Sequence, residues 1–279
     1  MSDTCGVFER QRIGLPVDET GDPSSAFRIS TGLRRQYLSL VHREISGLSS
    51  LHVAAPAISL VSVTGSHDDK AAIRVWAELT ETTASTSFAS VQLEVKDGAA
   101  GLTGLPTPSM PPTLRWDLIV PSWIPVSISS GHAAVDVFGM KGRVEVNAGH
   151  GRVAVLDCGP HVKVQADESG SIQWTGGSEG TIDLMADGQI KLCLATARFT
   201  GTIEAIARES VDVYIPSKFE SAFRVEVCAA DKLVCDDTTR AQLKKVSDSS
   251  RLAFESGEQA TARFISLEGM LTIQRYGPD

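Results

Sequence analysis

The sequence of 279 residues predicts an all-β protein: an N-terminal antiparallel β-sheet region running into a β-solenoid-like stack of short strands. Three observations carry this reading. Apolar pairs two residues apart recur at Val126/Ile128, Val135/Val137, Val144/Val146, Val153/Val155, Val162/Val164, Ile172/Trp174, Ile182/Leu184 and Ile190/Leu192, and their first members step by 9, 9, 9, 9, 10, 10 and 8 residues. Gly, Ser or Asp separates most of the pairs, so each short strand ends in a turn. Upstream, several segments alternate apolar and polar residues, the pattern of a half-buried strand. Residues i and i+2 of a strand share one face, so each pair marks two inward positions. A near-constant pitch of such pairs is the sequence form of a wound stack.

Taken in order, residues 1–47 form a partly irregular lead-in, rich in Gly, Pro, Ser and Asp up to about residue 30. TGLRRQYLSLVHREIS then places Leu33, Tyr37, Leu40, Val41 and Ile45 near helical spacing, while Leu38 and Leu40 fit a strand equally well. Residues 48–121 form the antiparallel region: LHVAAPAISLVSV, AAIRVWAEL, VQLEV and LRWDLIVP read as strands, and LPTPSMPP as a Pro-rich connection. Residues 122–279 form the repeat region with a C-terminal cap. Two strands per coil give a coil of 18 to 20 residues. Adjacent coils then lie about 4.8 Å apart, and Glu145, Lys163 and Asp183 share one outward column. In this register Val153 points inward and Ala154 outward. The pairs Ile203/Ala205 and Val211/Val213 continue the series, VDVYIP, FRVEV, RLAFES, ARFISL and LTIQR supply closing strands, and DDTTRAQLKKVSD reads as a loop or short helix.

Composition narrows the function. Hydrophobic residues make up 42% and charged residues 22% of the chain, which suits a folded globular protein. The net charge is −8 with no basic stripe, which argues against a nucleic-acid partner. No apolar run approaches the roughly 18 residues of a membrane span, so no membrane insertion is expected. MSDTCGVFERQRIG lacks the basic and apolar regions of a secretory signal, which favours an intracellular location unless a presequence has been removed. Five scattered cysteines do not form a disulfide framework. Cys228 and Cys235 could meet across a hairpin, but two free, buried thiols are the expectation.

Chemistry-bearing motifs are few. Gly149-His150-Gly151-Arg152-Val153-Ala154 matches G-x-G-x-x-A. A dinucleotide site needs those glycines to open a helix, and a strand pattern follows instead. Gly176-Gly177-Ser178-Glu179-Gly180 matches G-x-S-x-G, yet all six histidines precede Ser178, which excludes the hydrolase order. No cofactor and no catalytic residue is expected. His132 and His150, 18 residues apart, stack on adjacent coils, and Glu168 is the nearest third ligand. Without a full ligand set, these three are turn residues before they are a metal site. A carbohydrate-cleaving β-helix needs clustered carboxylates. Here Asp136, Ala154, Gln173, Lys191 and Asp212 fall in line, and no carboxylate pair stands out. Trp116 and Trp174 lie on core faces, whereas Trp76 and Trp123 are the candidate contact aromatics.

The junction LRWDLIVPSWIPVSISSG, the repeats GRVEV, GRVAV, GTIDL and GTIEA, and the late VDVYIPSKFES resemble the DUF4097 family, whose members carry the name "putative adhesin". The resemblance covers about residues 48–275. It implies strands followed by Gly-x-Val-x-Val rungs and a binding role, and it supplies no catalytic motif. The expected function is therefore a non-catalytic binding or scaffold protein that contacts protein or polysaccharide through rigid solenoid surfaces. The alternative is a structural subunit of a larger intracellular assembly. A carbohydrate-active enzyme is disfavoured by the absent carboxylate cluster.

Overall fold

The computed structural model describes residues 36–55, 59–79, 91–104, 114–246, 251–257 and 261–277. Most of the lead-in, Cys5 and the connection LPTPSMPP lie outside them. In chain order the strands are β1 (Gln36–Ser46), β2 (Ser50–Ala55), β3 (Ser59–Ser66), β4 (Lys70–Leu79), β5 (Val91–Lys96), β6 (Ala99–Gly104), β7 (Leu114–Pro121) and β8 (Val126–Ser130). They continue with β9 (Ala134–Phe138), β10 (Val144–Ala148), β11 (Arg152–Leu156), β12 (His161–Ala166), β13 (Ser171–Gly176), β14 (Glu179–Ala186), β15 (Gln189–Leu194), β16 (Thr200–Ala207) and β17 (Ser210–Pro216). The last are β18 (Phe223–Val227), β19 (Leu233–Cys235), β20 (Lys244–Val246), β21 (Leu252–Glu255), β22 (Ala262–Ser266) and β23 (Leu271–Tyr276), with helix α1 (Asp237–Gln242) between β19 and β20.

From β8 to β17 successive strands alternate between two sheets, so each coil contributes one strand to each sheet. Their neighbours are parallel: Val144 pairs with Val126 on one side and Val162 on the other, and Val162 pairs with Ile182. This is the expected coil of 18 to 20 residues. All eight apolar pairs lie in strands with both side chains buried between the sheets. The first sheet runs β1-β4-β7-β3-β9-β11-β13-β15-β17-β23-β19, and the second runs β20-β21-β18-β22-β16-β14-β12-β10-β8-β2-β6-β5.

At the end of each central second-sheet strand a third buried position holds a small residue. Ser130, Ala148, Ala166, Ala186, Ala207 and Ser266 stack in one column. The chain turns toward the first sheet immediately beyond, and small side chains leave room for that corner.

Several expectations change in detail. The stretch 31–46 fits helix or strand by its sequence, and its described part is β1, an outer strand antiparallel to β4. The region 48–121 is mixed rather than antiparallel throughout. Strands β2 and β6 pair in parallel, as do β3 and β7, and β2 and β3 continue directly onto β8 and β9. Antiparallel pairing there, among the described residues, is confined to β1–β4, β4–β7 and β5–β6. Alternation within a strand reports which face is buried, and that pattern is the same for either direction of pairing.

Both ends of the stack are interleaved. After β16 and β17 the chain passes over one coil to form β18 and β19, makes α1, β20 and β21, and returns to fill the vacated coil with β22 and β23. At the other end β6 and β7 lie beyond β2 and β3, although they follow them in the chain. Helix α1 stands where a loop or short helix was expected, with Asp236 as its cap accepting from Thr239 N–H.

Candidate binding face

The turns that lead from the second sheet to the first bring three expected residues together. His132 and His150 stack with ring centroids 5.0 Å apart and planes 12° from parallel. Glu168 Oε2 lies 2.5 Å from His150 Nε2. The column continues through Asp187, which accepts from Glu168 N–H at 3.2 Å, to Arg208 and Glu268. Parallel rings direct their lone pairs along parallel planes instead of toward one point. Among the described residues no group of three or more His, Cys, Asp or Glu side chains is placed to hold a metal.

The glycine motif of 149–154 is a product of stacking. A Cβ at Gly151 would sit 2.3 Å from Ala133 O, and its φ is +154°. The residue is glycine because the backbone of the preceding coil occupies that space, and the chain beyond it is β11. The turn at 177–178 likewise leads into β14, so Ser178 lies on no strand-to-helix elbow. Glu145, Lys163 and Asp183 are adjacent as predicted. Ala154 does occupy the outward column, between Asp136 and Gln173, but its neighbours cover it to 4% exposure.

Trp116 and Trp174 are buried in the core. Of the two contact candidates, Trp123 is 53% exposed in the turn after β7. Trp76 is half-buried between its register partners Ser39 and Arg115, with an enclosed indole N–H. It is therefore a poorer contact residue than its polar-face position implied.

The outward face of the first sheet holds a feature that single-residue reading missed. Across adjacent strands, Ala72, Ile119, Thr64, Phe138, Leu156, Thr175, Cys193, Tyr214 and Gln274 form one column without a charge. Ile119 and Phe138 are 42% and 36% exposed. Two positions earlier on each parallel strand, and two later on antiparallel β4, runs a charged column: Arg74, Asp117, Ser62, Asp136, Ala154, Gln173, Lys191 and Asp212. The signal was available for half the column. Phe138, Leu156, Thr175 and Cys193 each follow the second member of an apolar pair. Ile119 and Thr64 join it only through the interleaved strand order.

Electrostatics separate this face from the stack's ends. Asp136 is partly desolvated, which raises its carboxyl above the ordinary 3.8, while Arg152, 2.9 Å away, opposes the rise. On the second sheet, Glu226 is nearly buried and accepts from Arg224 and Arg263, which reach on to Glu255 and Glu204. Cys158 lies buried at a corner, with its thiol pushed up to about 11 chiefly by desolvation. Cys228 and Cys235 are free, as expected, but Cys228 is exposed and Cys235 half-buried. Cys228 lies just past the end of β18, and Cys235 ends the outermost strand of the first sheet, where it packs against the margin of the core without being enclosed by it.

No family model matches the chain, and no curated protein matches it. The solved structures similar to it include three described as adhesins or cell adhesion proteins. A "putative adhesin" of Bacteroides fragilis is 13% identical, covering 86% of this chain and 97% of its own, with a TM-score of 0.41. A "putative cell adhesion protein" of Clostridium sporogenes is 12% identical over 84% and 98% of the two chains, with a TM-score of 0.30. A "putative adhesin" of Parabacteroides distasonis is 10% identical over 86% and 97%, with a TM-score of 0.28. No helix among the described residues is long and apolar enough to cross a membrane.

Proposed function

We propose that the protein is a non-catalytic binding or scaffold protein whose contact surface is the outward face of the first sheet. The observation that carries this reading is the uncharged column, with Phe138 exposed near its centre and Ile119 exposed two strands away. An uncharged strip with exposed apolar side chains beside a charged one is the arrangement of a contact surface, with a middle that desolvates readily and a polar rim. The partner class is protein or polysaccharide. A structural-subunit role would draw on the same face. The test compares wild type with Phe138→Asp, and with Glu145→Lys on the opposite sheet as control. Each is assayed for retention on immobilised polysaccharides and for capture of proteins from a source extract. Binding lost only in Phe138→Asp supports the proposal, and binding kept by that variant overturns it. Release of reducing ends from any retained polysaccharide would overturn the non-catalytic part.

A further inference from the structure

We infer that the occupant of this face is a second copy of the same chain, laid on it with the coil order reversed. The inference rests on the reading of the face as a contact surface and names its partner. The strand order β4-β7-β3-β9-β11-β13-β15-β17 has its midpoint between β9 and β11. A two-fold axis along the strand direction at that midpoint keeps each column on itself and reverses its order. Phe138 then meets Leu156 of the other copy at the centre, within the uncharged column. In the charged column Asp117 meets Lys191, and Arg74 meets Asp212. Each pair occurs twice, because a two-fold contact is self-complementary. Nowhere in these two columns do like charges oppose.

The charged column lies mid-face, between the uncharged column and a third outward column that includes Arg115, Leu60 and Ala134, so the other whole-face arrangement has its axis along the stack through the charged column and lays that column on itself coil by coil. It sets Asp117, Lys191 and Asp212 each against its own copy, and like-charge juxtaposition opposes docking. The reversed arrangement is therefore the one the charge order selects. Its size suffices. Eight strands at about 4.8 Å, each about five residues long at about 3.3 Å per residue, span roughly 38 by 17 Å. That is about 650 Å² on each partner, at the lower end of the roughly 1,200–2,000 Å² total of specific interfaces.

Sedimentation velocity over a range of concentrations tests this, with thermal melts to confirm that each variant is folded. Wild type is expected to dimerise reversibly and Phe138→Asp to remain monomeric. Lys191→Glu sets a carboxylate against Asp117 twice and is expected to weaken the dimer about tenfold. Adding Asp117→Lys to it restores opposite charges and is expected to recover most of the loss. This rescue does not occur if Lys191 matters only within one chain, and it stays informative if Phe138→Asp fails to fold. A wild type that is monomeric at every concentration, or a double variant no better than Lys191→Glu, overturns the inference. If wild type is monomeric but Phe138→Asp still abolishes capture of another molecule, the contact face stands and only the second copy falls. If neither property responds, both fall.

Discussion

Cys158 shows how a single side chain reports on the packing of the corners. Its Sγ receives Met140 N–H at 3.4 Å and donates to Leu156 O at 3.3 Å, beneath the turn of the previous coil. The folded thiol titrates near 11, against an ordinary 9.0. A raised value means that the thiol's contribution to stability is complete below pH 9 and is lost as pH rises through about 11. Two units correspond to about 2–3 kcal/mol. Denaturant unfolding at both ends of that window should show wild type losing about 2 kcal/mol more than Cys158→Ala. Equal losses would mean that the thiol is not linked to folding. Glu226 makes a stronger demand. It is 3% exposed and shared by two guanidinium groups, so Glu226→Ala removes the carboxylate between Arg224 and Arg263 and leaves only Glu255 and Glu204 to offset their mutual repulsion. The expected cost is about 3 kcal/mol, read as a fall in the denaturation midpoint. A change below about 0.5 kcal/mol, the scale of an ordinary surface substitution, would rule out a structural role for the network.

At the scale of the element, each short strand is made by two inward apolar residues and a turn that lets coils approach closely. Gly151 is where this is most constrained. Its positive φ disfavours any L side chain, and Ala133 O leaves no space for a Cβ. Gly151→Ala should therefore destabilise by about 3 kcal/mol through backbone strain and displacement of the neighbouring coil. Gly177 has nothing within 4 Å of a built Cβ, so Gly177→Ala serves as the control. A thermal melt in which both variants behave alike would contradict the close-approach account.

The whole molecule is organised by its interleaved ends. In a simple stack the last strands to be made are the outermost, and they peel away first. Here β22 and β23 lie inside, with β22 parallel to both β16 and β18, and β23 parallel to both β17 and β19. Removing residues 258–279 would thus leave a gap between β16 and β18 and expose edges in both sheets. That truncation is expected to abolish cooperative unfolding by circular dichroism. A truncated chain that melts within a few degrees of wild type would show that the returning coil is dispensable. The same interleaving leaves the broad face of the first sheet as an uninterrupted ladder, the geometry that a repeated contact surface requires.

By itself the sequence determined the all-β class, the two strands per coil, the inward pairs, the Glu145–Lys163–Asp183 column and the meeting of His132, His150 and Glu168. These follow from local periodicity: a side chain's face is set by its place in the strand, and its neighbour by the pitch of the repeat. Tertiary structure decided what lies beyond one pitch. It set the strand direction within 48–121, because inward–outward alternation is blind to direction. It covered Ala154 and Trp76, because burial at an outward position depends on neighbours from other strands. It brought Ile119 and Thr64 beside Phe138 and threaded β22 and β23 back into the stack, because such pairings join residues far apart in the chain. Their cost in loop closure grows only slowly with that separation, so no local signal in the sequence marks them.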